Sequence, residues 1–347
     1  MIPEHRPTRL PVFLAFALSK IYSIGINHRN RQYDKGVGVT RLDRRVISIG
    51  NLSTGGTGKT PLVQHVVRTL FEQGHHPAIA MRGYKAEPGQ IGDEQREHMD
   101  ALPGVQIVAQ PNRIAGLRAL FESDEGGKVD CVVLDDGFQH RKMARDVDIV
   151  LIDASRPPYE DALLPLGFLR EPVESLLRAD VVVISHAEMI EQEALGKLRR
   201  WVQQRISEQA GIVVLEHCWE RIVEHLPGSE LVDVHPVEYL QDRSVAVLTG
   251  IGHPEAFCLM AKEAGAQIVL RCDRPDHDGF PEAFVEGFVR EAQLAGATAI
   301  LATGKDWTKL KSFDFGGNSE HGMPVLVASL GLRFRSGEAL LKAACTP

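Results

Sequence analysis

The sequence lacks the paired cysteines that a disulfide framework or a thiolate zinc site requires. Its 347 residues include five cysteines, which are scattered, odd in number and never spaced as C-x-x-C. Such usage indicates reduced thiols in a cytosolic compartment. The sequence also lacks an uninterrupted run of the roughly 18–20 apolar residues that a membrane span needs. A signal peptide fits poorly, because no small-residue cleavage site follows the N-terminal apolar segment.

A net positive charge is missing as well. The formal net charge is −7, so the molecule as a whole is not a binder of polyanions. The basic residues are unevenly spread, however, and those that precede residue 46, with few acids among them, are Arg6, Arg9, Lys20, Arg29, Arg31, Lys35, Arg41, Arg44 and Arg45. A basic N-terminal arm on an acidic protein suggests an anionic surface as partner, either a membrane or a nucleic acid.

This arm contains an apolar segment from Leu10 to Ile26. One interpretation is a helix packed on the domain, and the other is an interfacial helix whose basic flanks meet lipid head groups. In the second case the residues entering the acyl boundary would be Val12, Phe13, Phe16, Leu18, Ile21 and Tyr22. Both interpretations stay open, because periodicity cannot distinguish a core-facing stripe from a lipid-facing one.

The most informative segment is Gly50–Thr60, with the sequence GNLSTGGTGKT. It follows a short apolar strand and precedes a helical pattern, which is the context that a phosphate-binding loop requires. Ser53 occupies a position where the strict motif has glycine. We predict that Lys59 reaches the β- and γ-phosphates of a nucleotide and that the Thr60 hydroxyl binds Mg²⁺. The predicted nucleotide-binding residues are Ser53, Thr54, Gly55, Gly56, Thr57, Gly58, Lys59 and Thr60.

Continuous apolar runs alternate with helical stretches along the chain. The first series of runs begins at Ala78, Gln106, Cys131, Ile149 and Val181, and such runs are typical of strands covered on both faces. The pattern predicts an α/β fold, a P-loop NTPase-like, doubly wound and mostly parallel sheet. A shorter series of the same kind follows Trp219. We therefore expect an N-terminal helix at 1–30, a P-loop domain at 31–216 and a smaller C-terminal α/β domain at 217–347.

A second motif follows the apolar run Val132–Leu134, where Asp135 and Asp136 stand side by side. An acid at the C-terminal end of a strand beside the phosphate loop is the usual arrangement for holding Mg²⁺. Adjacent like charges are costly without a cation nearby, which favours a metal over the alternative of an ordinary Asp-Gly turn.

Several other charged residues are candidates for the site, and most of them have a second, ordinary structural interpretation. Asp93 is a candidate general base or a helix N-cap. Arg113 begins a helical pattern, where an arginine opposes the helix dipole unless an anion lies nearby; a solvated surface arginine is the alternative. Arg170 and Glu171 form a potential ion pair in a proline-rich turn. His277 lies between two aspartates, which suits an acid/base residue but also an ordinary surface histidine.

Taken together, these segments resemble the tetraacyldisaccharide 4′-kinase family of lipid A biosynthesis. The matching segments keep their order and spacing across nearly the whole chain: 50–61, 82–84, 92–94, 112–113, 135–140, 164–172, 250–254, 276–277 and 305–309. Two positions depart from the family pattern. Gly304 stands where the family commonly has Glu, and Asp278 stands where a second His often follows the Asp-His pair.

The resemblance implies an ATP-dependent kinase at the cytoplasmic face of the Gram-negative inner membrane. It would move the γ-phosphate of ATP to the 4′-hydroxyl of a tetraacylated glucosamine disaccharide 1-phosphate, giving lipid IV-A. The implied partners are this glycolipid and a membrane surface, with no nucleic acid, and we expect a monomer. Residues 1–30 would be a membrane-associating helix.

The resemblance also implies roles for individual residues. Asp93 would be the catalytic base, paired with His277, and Lys59, Arg113 and Arg170 would complete the catalytic set. The implied metal ligands for Mg²⁺ are Thr60, Asp135, Asp136 and Glu171.

One further function class remains open on the residues alone, and two others are disfavoured. A regulatory or partitioning ATPase has a similar phosphate loop but needs no acceptor base, and it would release phosphate to water. A membrane-bound nucleotide-binding module without catalysis is disfavoured by the Asp135–Asp136 pair. A GTPase is disfavoured because the Asn-Lys-x-Asp guanine motif is missing.

Overall fold

The structure, a computed structural model, describes residues 7–8, 10–83, 91–227, 229, 231–252, 254–275, 280–313, 315 and 322–346, apart from the side chain of Asp93. The chain divides into two compact units. Unit 1 comprises Met1–His217 and Arg333–Pro347, and unit 2 comprises Cys218–Leu332. The predicted second domain, 217–347, differs from this division at its C-terminal end, because the last residues return to unit 1.

Unit 1 alternates strands and helices. Its elements are α1 Val12–Asp34, β1 Arg45–Asn51, α2 Lys59–Glu72, β2 Pro77–Met81, α3 Asp93–Ala101, β3 Gln106–Ala109, α4 Arg113–Phe121, β4 Cys131–Asp135, β5 Val147–Asp153, β6 Val181–Ser185, α5 Gln192–Gln203 and the first half of β7 Gly211–His225. Short 3-10 turns cover Gly126–Lys128, Pro158–Glu160, Val173–Arg178 and Ala187–Met189.

The strands of unit 1 form a parallel sheet in the order β3-β2-β4-β1-β5-β6-β7. Strand β1 therefore lies between β4 and β5, and residue Ile49 is in register with Asp135. Because parallel strands end at the same edge, the loop after β1 and the acids after β4 emerge side by side. The predicted P-loop NTPase-like α/β fold is confirmed.

Unit 2 is a smaller α/β unit. Its elements are β8 Val232–His235, a 3-10 turn Val237–Leu240, β9 Ser244–Thr249, α6 Pro254–Glu263, β10 Gln267–Asp273, α7 Glu282–Leu294, β11 Ala299–Thr303, α8 Gly304–Leu310 and most of β12 Val325–Ser336. The strands β10, β9, β11 and β12 pair in that order and run parallel. Strand β8 pairs antiparallel with residues 222–225.

The C-terminal segment after unit 2 ends in α9, Glu338–Cys345. Its apolar face is covered, since Leu341 and Cys345 are buried. The Ala344 carbonyl accepts a hydrogen bond from the Arg45 guanidinium at 2.9 Å, and Thr346 donates to the Gln73 side chain at 3.1 Å. These contacts explain why residues 333–347 belong with unit 1.

Candidate active site

The loop after β1 has the backbone of a phosphate-binding turn. Gly58 is the N-cap of α2 and adopts a left-handed conformation with φ of 77°, and Gly55 has φ of 106°. Glycine tolerates this region of φ where other residues are strained. No side chain caps α2 among the residues that the structure describes, so its first backbone N–H groups are available to an anion. The predicted strand–loop–helix context is confirmed.

Neighbouring segments fix this loop in place. Thr54 N–H donates to the Phe168 carbonyl at 2.8 Å, and Arg170 N–H donates to the Leu52 carbonyl at 2.7 Å. Ser53 forms an antiparallel bridge with Leu169. Ser53 therefore lies in an extended, paired stretch before the left-handed positions, which explains why glycine is unnecessary there.

Lys59 lies at the junction between the loop and the Asp135–Asp136 motif. Its ammonium group donates to the Asn51 side-chain oxygen at 3.3 Å and lies 3.8 Å from an Asp136 carboxylate oxygen. Asn51 in turn donates to the Thr57 hydroxyl at 3.0 Å. Sequence analysis assigned no role to Asn51, although its position at the end of β1, next to the phosphate loop, could have indicated one. Thr60 follows in the first turn of α2 and is half-buried.

Asp136 is the point where the cationic side chains converge. Arg170 binds it bidentately, with N···O distances of 2.8 and 2.9 Å. Burial alone would raise the pKa of Asp136, but the Arg170 hydrogen bonds and the charges of Lys59 and Arg113 hold the pKa below its ordinary value. The carboxylate is consequently ionised at neutral pH. The backbone of Asp136 is in the left-handed region, with φ of 52°.

Arg113 is buried rather than solvated, with only 3% of its surface exposed. Its guanidinium donates to the Asp136 backbone carbonyl at 3.3 Å. Burial lowers the pKa of Arg113, while the nearby Asp136 and Asp135 charges oppose that shift. Its location at the start of α4 therefore places a cation beside the two acids, and the alternative of an exposed arginine is wrong.

Asp135 has a partner that the sequence did not indicate. The imidazole Nε2 of His98 lies 3.1 Å from a carboxylate oxygen of Asp135, and His98 is completely buried. His98 is in the last turn of α3, the helix that begins at Asp93. A histidine in a polar helical segment carries no spacing signal, so only the tertiary packing of α3 reveals this contact.

Glu171 contacts a different set of groups from its neighbour Arg170. It is completely buried, and the oxygen Oε2 accepts hydrogen bonds from Asn30, Ser175 and Arg178 at 2.9–3.0 Å. These contacts make Glu171 an anchor for α1. Its role as a metal ligand stays a prediction that none of these contacts supports.

The remaining predicted residues have less structural evidence. His277 and Asp278 lie outside the described residues, as does the side chain of Asp93. Gly304 begins α8, and Thr303 caps that helix by accepting a hydrogen bond from Asp306 N–H at 3.1 Å. The pairing of Asp93 with His277 therefore stays a prediction.

Comparison with known proteins gives matches to one family along most of the chain. The family model described as tetraacyldisaccharide-1-P 4′-kinase matches residues 12–345. A tetraacyldisaccharide 4′-kinase of Anaeromyxobacter sp. (strain K) is 35% identical over 299 residues, which cover 81% of this chain and 77% of the relative. One of Geobacter metallireducens is 34% identical over 322 residues, covering 87% of this chain and 89% of the relative.

A solved structure matches over nearly the full length. It is the crystal structure of LpxK from Aquifex aeolicus in complex with ATP, with 28% sequence identity and a TM-score of 0.68. The match covers 95% of this chain and 96% of the Aquifex chain.

Proposed function

The chain belongs to the tetraacyldisaccharide-1-P 4′-kinase family, and we propose that it transfers the γ-phosphate of ATP to the 4′-hydroxyl of tetraacyldisaccharide 1-phosphate, forming lipid IV-A. One observation carries this proposal at the level of geometry. Lys59 and Arg170 both meet Asp136 where the phosphate loop adjoins the C-terminal end of β4. Together with Arg113, they place three cationic side chains beside the Asp135 and Asp136 carboxylates. Such an arrangement suits a polyphosphate that arrives with a divalent metal ion.

ATP is proposed as the phosphate donor. Residues 53–60 would surround its phosphates, with Lys59 on the β- and γ-phosphates. The backbone N–H groups that would bind them follow Thr54, because the Thr54 N–H donates to the Phe168 carbonyl. The ATP complex of the related Aquifex kinase supports this proposal. The positive charge of Lys59, Arg113 and Arg170 would offset the charge that spreads over the transferring phosphoryl group.

Mg²⁺ is proposed as the metal. The donors that fit it are the Asp135 and Asp136 carboxylates and the Thr60 hydroxyl, because Mg²⁺ prefers oxygen ligands. The low pKa of Asp136 keeps that carboxylate ionised and able to bind a cation. When bound, the ion would supply charge neutralisation at the β- and γ-phosphates.

The proposed base for the acceptor hydroxyl is Asp93. A sugar hydroxyl becomes a competent nucleophile when a positioned carboxylate accepts its proton. Asp93 begins α3, and His98 on the same helix contacts Asp135. Five residues of helix correspond to a rise of about 7.5 Å, so α3 links the proposed base to the metal-side carboxylate through one rigid element. His277 is retained as its proposed partner.

The acceptor is a lipid, and we propose that α1 brings the enzyme to the membrane. No helix in the described part of the chain is long and apolar enough to cross a bilayer. The exposed large apolar residues of α1 are Val12, Phe13, Leu14, Phe16, Leu18, Ile21 and Ile24. A helix with such a surface and basic flanks suits the membrane interface better than a nucleic acid.

The opposite face of α1 is held by polar contacts. Ser19 donates to the Leu163 carbonyl at 2.9 Å, and Tyr22 donates to the Arg170 carbonyl at 2.8 Å. The two interpretations of this segment are therefore compatible, since one face packs on unit 1 and the other is exposed. We propose a monomer peripherally bound at the cytoplasmic face of the inner membrane.

The test is transfer of labelled γ-phosphate from ATP to tetraacyldisaccharide 1-phosphate in detergent micelles. Label on the glycolipid supports the kinase, whereas label appearing only as inorganic phosphate supports a hydrolytic switch. Asp93→Ala should lose turnover and keep its ATP affinity. Equal losses of both would indicate that Asp93 is structural.

A further inference from the structure

Unit 1 contains a second group of side chains that could bind a metal. This group lies at β6 and β7, whereas Asp135 and Asp136 follow β4 on the other side of β1. His186 and Glu188 follow β6, and His217 lies on β7. One ligand atom from each of the three residues lies within 4.8 Å of the other two. The Glu188 oxygen Oε1 is 3.3 Å from the His186 Nδ1 and 3.7 Å from the His217 Nδ1.

His217 is the unusual member of this group. It is 5% exposed, and neither ring nitrogen has a hydrogen-bond partner among the described residues. The 3.7 Å separation from Glu188 is too long for a hydrogen bond. A buried polar group without a partner costs roughly 1–3 kcal/mol, and a native structure usually satisfies it with protein, water or an ion.

The distances from Glu188 to the two histidines suit a small tetrahedral ion. Zinc bonds to nitrogen and oxygen are about 2.0–2.2 Å long, so neighbouring ligand atoms are separated by roughly 3.4 Å. The two distances from Glu188, 3.3 and 3.7 Å, bracket that value. The His186 and His217 rings stack with centroids 4.1 Å apart, and the Nδ1 atom of each ring is the nitrogen nearest to Glu188 Oε1.

We propose that His186, Glu188 and His217 bind one transition-metal ion of the Zn²⁺ type, with water completing the coordination. Two imidazoles and one carboxylate are a ligand set that zinc accepts and that Mg²⁺ does not prefer. The site is separate from the oxygen ligands Asp135 and Asp136 proposed for Mg²⁺.

The ion would act on the phosphate loop through His217. A Cβ atom at Gly58 would clash with the His217 Nε2, so the imidazole packs directly against the left-handed N-cap of α2. Ser185, next to His186, donates to the Thr57 carbonyl at 2.9 Å. A metal that fixes the two rings therefore supports the backbone of residues 57–58 from behind.

The experiment uses the full chain without a histidine tag, stripped with a chelator and dialysed against Zn²⁺ in excess Mg²⁺. We expect one equivalent of zinc by elemental analysis and a higher Tm without nucleotide. Glu188→Gln and His186→Asn should weaken zinc binding. Loss of an outer-shell partner weakens metal binding roughly 10–100-fold, and loss of a direct ligand should weaken it at least as much. His75→Gln is the matched control, because His75 pairs with Asp130 at 2.9 Å as a single histidine–carboxylate pair; this variant should bind zinc as the wild type does.

A second measurement does not depend on the variants folding. Wild-type protein loaded with Co²⁺ should show the visible absorption of a four-coordinate nitrogen and oxygen site, and Zn²⁺ should displace it. Retention of less than one equivalent of either metal would overturn the proposal. Zinc affinity in the Glu188 and His186 variants equal to that of the His75 control would also overturn it.

Discussion

At the scale of single residues, Asp136 is the centre of the site. It combines a bidentate Arg170 contact, a Lys59 ammonium at 3.8 Å and a left-handed backbone. A non-glycine residue in that region of φ carries a conformational cost, and such residues concentrate where function requires them. The sequence identified Asp136 from its position after a strand, but the clamp by Arg170 depends on folding that brings residues 136 and 170 together.

The Arg170 clamp predicts a pH dependence of stability. The pKa of Asp136 is lower in the folded chain than its ordinary value of 3.8. Its contribution to stability is therefore complete above that value and is lost as the pH falls through the folded pKa. In Arg170→Gln the pKa should rise, so the Tm difference from wild type should shrink as the pH falls from about 5 to about 2.

The control for this titration is Arg41→Gln. Arg41 pairs with Asp146 at 2.8 Å, but 68% of its side chain is exposed, and exposed pairs contribute little. A constant Tm difference between Arg170→Gln and wild type over the same pH range would contradict the clamp as the cause of the lowered pKa.

His98 predicts a metal effect at the same scale. His98→Leu fills the buried volume but leaves the Asp135 oxygen without its partner, so Asp135 loses its orientation. By analogy with outer-shell partners of metal ligands, the apparent Mg²⁺ affinity in the kinase reaction should weaken roughly tenfold or more. His98→Gln keeps an N–H donor and should restore most of the affinity.

A purely structural role for His98 gives a different result. Both variants would then lower the Tm and leave the Mg²⁺ concentration for half-maximal activity unchanged. The two roles are distinguished by comparing the change in the Mg²⁺ concentration for half-maximal activity with the change in the KM for ATP.

At the scale of elements, sequence periodicity predicted the fully buried strands well, but it predicted poorly the strand β7, which has both buried and exposed positions. Strands β4 and β6 are continuous apolar runs that are buried at every position. Strand β7 is different, because charged residues alternate with buried ones in its second half, and the sequence analysis placed a domain boundary at residues 216–217, inside this strand. Helix α3 shows the same limit. Its sequence is mostly polar, and the buried His98 faces a carboxylate, so hydrophobic patterning carried no information about it.

The exposed face of α1 predicts membrane binding. The triple variant Phe13→Ser, Ile21→Ser, Ile24→Ser removes apolar side chains that are 66–77% exposed, and it leaves the polar contacts of Ser19 and Tyr22 in place. Partition onto anionic phospholipid vesicles should weaken by at least ~2 kcal/mol, or about thirtyfold. Sedimentation with the vesicles measures it.

Leu294→Ser provides the control for α1. Leu294 is 89% exposed on α7, so its removal lowers surface hydrophobicity elsewhere in the chain. Vesicle partition of this variant should match wild type. If the triple variant also partitions like wild type, α1 is not the membrane contact.

At the scale of the whole molecule, the order of strands decides where chemistry can occur. In unit 1, β1 lies between β4 and β5, so the loop after β1 and the acids after β4 share one edge of the sheet. The sequence predicted both motifs and the parallel sheet, but it could not supply strand order, because strand order depends on which apolar faces pack together. The return of residues 333–347 to unit 1 was equally invisible, since the burial of Leu341 and Cys345 depends on tertiary packing.

The phosphate loop and the Asp135–Asp136 edge are proposed to form a single site for ATP with Mg²⁺. The most direct measurement is the calorimetric affinity for ATP, with and without Mg²⁺, in wild type, Lys59→Ala and Asp136→Asn. We expect Lys59→Ala to weaken ATP binding in both conditions, and Asp136→Asn to abolish the increase in ATP affinity that Mg²⁺ gives to wild type. An Asp136→Asn variant that responds to Mg²⁺ as fully as wild type would contradict this proposal.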